Sequence, residues 1–140
     1  MWERVVTVED VFDRPRSGVA FCDGSLHLYQ SVWDEARDDY ADDYEVMPID
    51  PSLLPLIEEK WAIWLRWAAA FHAAETTIEA HPALPADLPR HTQLDTLLAP
   101  RLISAPEKAQ RMLGDFRNAN PLPGWGGFEV SWTPAPRRNE

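Results

Sequence analysis

Val19-Ala20-Phe21-Cys22-Asp23-Gly24-Ser25-Leu26-His27-Leu28-Tyr29 is the stretch that decides the fold. Asp-Gly tolerates the positive φ angles of a type I′ turn, the two-residue connection whose twist matches paired strands. That turn fixes a register: Cys22 opposes Ser25, Phe21 opposes Leu26, Ala20 opposes His27 and Val19 opposes Leu28. Side chains alternate along a strand. Val19, Phe21, Leu26 and Leu28 therefore share one face, which is the expected core face. Ala20, Cys22, His27 and Tyr29 share the other.

Residues 2–8 (WERVVTV), on the N-terminal side, are β-branched and aromatic and predict a strand. Arg14-Pro15-Arg16-Ser17-Gly18 reads as the turn between it and the hairpin. On the C-terminal side, residues 34–45 (DEARDDYADDYE) carry seven acidic groups and one Arg. They read as an exposed connection, with a short strand at Tyr44–Met47.

Asp50-Pro51 starts a helix, with Asp as cap and Pro tolerated in the first turn. The helix is expected to run to about Ala74. Leu54, Ile57, Trp61, Trp64, Ala68 and Phe71 make one apolar stripe, broadened by Leu56, Ile63, Trp67 and Ala70. Residues 81–89 (HPALPADLP) form a rigid connector. A second helix follows Asp87, with Leu88, His91, Leu94, Leu98 and Leu102 on its apolar face, and Pro100 ends or kinks it. Ser104-Ala105-Pro106-Glu107 fits a capping box for a short helix to Leu113 closed by Gly114; a strand over 111–117 is the alternative. Residues 121–127 (PLPGWGG) read as a loop. Phe128, Val130 and Trp132 then alternate with Glu129, Ser131 and Thr133, the pattern of a half-buried strand.

The expected architecture is a single α+β domain over residues 1–133, with a disordered tail over 134–140. Four or five antiparallel strands pack against the long Trp-rich helix. One or two further helices precede the last strand, which returns to the N-terminal hairpin.

The 140 residues suit one domain, and no apolar run reaches the about 18 residues of a membrane span. The net charge is −10, distributed as −9 over residues 1–50, −3 over 51–100 and +2 over 101–140. Such a chain repels nucleic acid and anionic lipid and attracts a basic protein surface. Cys22 is the only cysteine, which excludes an intramolecular disulfide and argues against a thiolate zinc site. The first residues lack a secretory pattern, so the expected compartment is the cytoplasm.

Trp61-Ala62-Ile63-Trp64-Leu65-Arg66-Trp67, Ala70-Phe71-His72 and His81-Pro82-Ala83-Leu84-Pro85 resemble a family of small, uncharacterised bacterial proteins with a Trp-rich central helix. The segments Arg14–Ala20 and His27–Tyr29 fit the same pattern. The resemblance covers most of the chain. It implies a bacterial origin and one compact domain, and it brings no activity and no catalytic residue.

Five features are candidate sites. Asp34, Glu35, Asp38, Asp39, Asp42, Asp43 and Glu45 carry charge at a density that imitates a nucleic-acid backbone and suits a basic groove on a partner. The plain alternative is a solvated connection. The segment has no Gly, which rules out an EF-hand loop. Trp61, Trp64 and Trp67 drift around their helix; the first two are expected in the core, and Trp67 is the one expected at a pocket or interface. His72, His81 and His91, with Asp87, form a composite metal site only if the connector folds them together; no ligand spacing supports it. Cys22 and His27 share a face, but nothing lowers the thiol pKa, and small-residue packing is the simpler reading. Arg66, the sole charge between Trp61 and Ala74, must reach solvent or a carboxylate, or else bind an anion among the tryptophans.

There is no G-x-S-x-G nucleophile elbow, HExxH zinc motif or phosphate-binding glycine loop. The sequence therefore favours a binding protein over an enzyme, of inhibitor, immunity or adaptor type, requiring no cofactor or metal. Its acidic segment would meet a basic partner, with Tyr40, Tyr44 or Trp67 as aromatic anchor. Two alternatives stand. One is a small-molecule pocket between helix and sheet built from Trp64, Arg66, Trp67 and His72. The other is a structural subunit of a larger, phage-related assembly.

Overall fold

The computed structural model describes residues 1–103, 105–119 and 127–136. Six strands run in chain order: β1 (Glu3–Phe12), β2 (Arg14–Cys22), β3 (Ser25–Asp34), β4 (Asp39–Pro48), β5 (Gln110–Asn118) and β6 (Phe128–Pro134). Two helices, α1 (Leu54–His72) and α2 (Leu88–Leu98), lie between β4 and β5. Each strand is antiparallel to its neighbours, and β6 returns to β1 through Glu3 opposite Val130. The sheet is therefore a closed barrel. Closure leaves it no edge strand to aggregate.

The Asp23-Gly24 hairpin has the register its turn dictates, from Cys22 opposite Ser25 to Val19 opposite Leu28. The expected α+β sheet packed on a long helix is overturned by the closed barrel, and three segments account for the difference. Residues 34–45 are not a connection: only 35–38 turn, and β4 follows from Asp39. Their acidity hides a strand whose Tyr44 and Val46 join the interior, while Asp43 and Glu45 project towards Arg111. Over residues 105–117 the structure has the alternative, a strand, and not the capped helix. One 3₁₀ turn at Pro106–Lys108 precedes β5, and Gly114 is a mid-strand residue. Arg14–Gly18 is not a turn. Asp13, at φ 73°, makes the reversal alone, and Arg14 already pairs with Phe12. In the expected tail, Pro134 belongs to β6 and the Ala135 N–H donates to the Arg111 carbonyl at 3.1 Å. The tail's residues 137–140 and residues 121–126 of the PLPGWGG loop lie outside the described residues.

Four rings fill the barrel. Tyr29, Tyr44, Phe116 and Trp132 touch one another in every pairing, with centroids 5.4–6.1 Å apart. Rings in tilted and edge-on contact bury much apolar area, but each tyrosine and tryptophan also brings a polar atom that needs a partner. Backbone carbonyls supply all three. The Tyr29 hydroxyl donates to Thr7 O at 3.0 Å, the Tyr44 hydroxyl to Pro15 O at 2.7 Å, and the Trp132 indole N–H to Phe21 O at 3.0 Å.

Bulges in β1 make the first of these bonds available. The β1–β2 register shifts between Val5 and Thr7 and again after Val8. An extra residue frees backbone groups from the ladder. The Thr7 carbonyl then takes the Tyr29 hydroxyl, and the Thr7 Oγ1 takes the Val19 N–H at 3.0 Å. Gly18 lies between. A Cβ there would stand 2.2 Å from Thr7 O and 2.8 Å from the Tyr29 hydroxyl, so only glycine fits. Gly114 plays a similar part across from Trp132, whose ring would meet a Cβ at 2.7 Å.

The outer face of the same hairpin is also buried. Val19 and Leu26 join Val6, Leu53, Ile57 and Leu98, with Phe21 and Leu28 packed at the margin. The face expected to be the core is thus the helix-covered outside of the barrel, and Ala20, Cys22 and Tyr29 face the interior cluster.

Two substitutions test this packing by denaturant unfolding. Gly18→Ala should destabilise by about 2–4 kcal/mol, because backbone and not a flexible side chain opposes the new methyl. Tyr44→Phe should cost about 1–2 kcal/mol, the worth of a buried hydroxyl–carbonyl bond whose acceptor is left unpaired. A Gly18→Ala variant as stable as the parent would contradict the packing described.

Candidate functional site

The barrel end that carries the β1–β2 and β3–β4 reversals gathers aromatic groups outside the core. Phe12 is 62% exposed and Trp33 is 50% exposed. Both rings contact Tyr40: Phe12 at 6.1 Å between centroids and Trp33, edge-on, at 5.1 Å. Trp33 and Tyr40 face each other across the β3–β4 ladder.

Arg16 holds this cluster from beneath. It is 7% exposed, and its guanidinium carbon lies 4.5 Å from the Tyr40 ring centroid. Its Nε donates to Phe12 O at 2.9 Å and its Nη1 to Ser31 Oγ at 3.2 Å. A carbonyl, a hydroxyl and a π face thus support the buried cation and fix both hairpin ends in one arrangement. The sequence flagged Arg66 as its buried arginine; the buried one is Arg16. Arginine stacks on rings readily, so Arg16 within two residues of Pro15 and Gly18 was the visible but unread signal. Phe12 and Trp33 escaped notice because their part depends on two reversals meeting in space.

The acidic residues divide. Asp43 is buried and holds Arg111 at 2.7 Å, while Glu45 lies 3.9 Å from the same guanidinium. Asp42 is highly exposed, 3.9 Å from Arg14. Asp34 accepts from the Ala36 N–H at 3.1 Å and shapes the turn. Asp39 accepts from the Tyr40 N–H at 2.7 Å. Glu35, Asp38 and Asp39 are exposed and stand at the turn beside the aromatic cluster, as do Asp10 and Asp13 on the neighbouring reversal.

The remaining predicted residues do not converge. Tyr44 is fully buried in the barrel and offers a partner no surface. Trp67 is 5% exposed, stacked on Phe71 at 5.1 Å and edge-on to His81 at 4.7 Å. Its indole N–H has no hydrogen-bond partner among the described residues. Arg66 is exposed and makes a bidentate pair with Asp87 at 2.9 and 3.0 Å. His72 ends α1 in solvent. Of the four pocket residues expected on α1, Trp64 lines a cleft on the barrel flank, together with His81 and His91, and Arg66, Trp67 and His72 are not part of that lining. No group of three or more metal-ligating side chains occurs among the described residues. Cys22 is buried, and burial, helped by Asp23 and Glu3, pushes its thiol up to about 11. His27 turns instead to the Ser25 carbonyl, 2.8 Å from its Nδ1.

Three ion pairs tie α1 to the α2 region: Glu59–Arg90 at 2.6 Å, Lys60–Asp95 at 2.6 Å and Arg66–Asp87 at 2.9 Å. Hydrogen bonds from these cations hold the Glu59, Asp87 and Asp95 carboxyls below their ordinary range.

No helix among the described residues is long and apolar enough to cross a membrane. The chain matches no protein-family model, no curated protein and no solved structure.

Two outcomes follow. A folded-state carboxyl pKa below the unfolded one stabilises fully above the ordinary carboxylate range and is lost as pH falls through the lowered value. The melting temperature should therefore drop below about pH 4, and Asp87→Asn with Glu59→Gln should flatten that drop; an unchanged pH profile would contradict the role of these pairs. Cys22 should resist alkylation by iodoacetamide in the native protein and react readily after denaturation.

Proposed function

We propose that this chain is a protein-binding protein of inhibitor, immunity or adaptor type, docking a basic partner on the barrel end that holds Phe12, Trp33 and Tyr40. The observation that carries this reading is two large, half-exposed rings converging on a third that a buried arginine holds in place. Single exposed aromatics are ordinary on a protein surface. A preorganised group of them is the composition of an interface centre, since rigid rings lose little entropy on binding.

The rim selects the partner. Asp10, Asp13, Glu35, Asp38 and Asp39 are exposed on or close in sequence to the same two reversals as the rings, with Arg37 exposed among them. Such a rim speeds encounter with a basic surface and discourages acidic ones. It also repels a second copy of the same face, so a heterologous partner is favoured over self-association. Asp43 contributes little to the rim, because it is buried against Arg111. Cytoplasmic residence remains part of this proposal on the grounds of cysteine use.

The test is a pull-down from the native host followed by binding kinetics on the captured partner. Glu35→Gln, Asp38→Asn and Asp39→Asn together should slow association on the order of tenfold at low salt and flatten its salt dependence. Phe12→Ser with Trp33→Ser should leave association nearly unchanged and speed dissociation on the order of a hundredfold. A partner held equally well by all three proteins would refute the assigned face.

A further inference from the structure

The flank of the barrel carries a separate cleft of about 290 Å³ between β1, α1, α2 and the His81-Pro82 segment. That volume is just under the usual range for small-molecule sites, about 300–1,000 Å³, and suits a compact ligand. Val19 and Ile57 contribute apolar surface, and the indoles of Trp61 and Trp64 line it. These two rings stack on each other at 5.0 Å and 11°, so neither is free to collapse into the space. The cleft is thus a cavity with two tryptophans in its lining at the helix–barrel contact.

Its charges decide what it admits. Glu9 and Asp95 are the carboxylates, Lys60 the ammonium, and His81 and His91 the imidazoles. Lys60 is committed to Asp95 at 2.6 Å. His81 Nε2 accepts the Trp64 indole N–H at 3.3 Å, since an indole nitrogen only donates. Burial, then the nearby Lys60, lowers the His91 pKa and keeps it neutral near pH 7. Glu9 makes no ion pair among the described residues and is left as the net charge of the cleft. An anionic ligand would meet that carboxylate; a cation would gain it, in a cleft that Trp61 and Trp64 also line.

We propose that this cleft binds a compact organic cation, an amine or guanidine on a flat apolar body, with the body against Trp61 and Trp64 and the charge beside Glu9. The site is independent of the aromatic barrel end. It uses neither Arg66 nor His72, both of which are exposed and outside its lining.

The experiment is a titration of the ¹⁵N-labelled full chain with three probes of similar shape: benzyltrimethylammonium, benzyl alcohol and benzoate. The cation should move the Trp61 and Trp64 indole N–H signals and bind on the order of tenfold more tightly than the alcohol. Benzoate should bind most weakly. Glu9→Gln, at an exposed position, should keep the parent melting temperature and spectrum while losing most of the preference for the cation. Phe12→Ser with Trp33→Ser should bind the cation as the parent does, which separates this site from the partner face. A cation no tighter than the alcohol, a preference for benzoate, indole signals that no probe moves, or a Glu9→Gln variant with undiminished preference would each overturn the assignment.

Discussion

The hydrogen bond from Tyr29 over Gly18 to the Thr7 carbonyl is the constraint on which the rest of the molecule depends. An eight-stranded barrel is just wide enough for side chains to fill, and six strands enclose less. Four rings occupy the space here, and their polar tips must be satisfied within the wall. That requirement explains the bulged β1, the glycine opposite Tyr29 and the threonine that caps the Val19 N–H. The filled interior sends any binding function to the outside of the barrel.

The outside is divided by the chain's own path. The insertion between β4 and β5 lays α1 and α2 over the outer face of β1, β2 and β3, where Val6, Val19 and Leu26 would otherwise meet water. The ion pairs between the two helices hold that cover together along its solvent edge. Among the described residues, the end with the Asp13 and 35–38 reversals receives no such cover. Its aromatic residues are ordered by Arg16 from within, and its charge is set by a run of acids with few basic neighbours.

The sequence made the Asp-Gly hairpin legible to the residue, because a two-residue turn fixes register locally. It also indicated both helices and the alternating last strand. Barrel closure was not legible. A strand buried on both faces loses the simple alternation that marks a half-buried one, and the β2–β3 hairpin is such a case. In β4 the acidic outward positions outweighed Tyr44 and Val46 in any reading by composition. In β5, Gly114 imitated a helix stop, although it serves the Trp132 ring. The acidic half of the candidate site was visible as a run of charge; its aromatic half required Phe12 and Trp33, 21 residues apart, to be brought together by folding. Tyr44 and Trp67 carry the right chemistry for an anchor but are held in interiors.

Closure around the aromatic filling is best tested by nuclear Overhauser contacts in the native protein. Tyr29, Tyr44, Phe116 and Trp132 ring protons should give mutual contacts, together with cross-strand contacts between Glu3 and Val130. An absence of β1–β6 contacts, or a Trp132 ring in contact with α1 and not with Tyr29 and Tyr44, would mean an open sheet on a helix and would contradict the account.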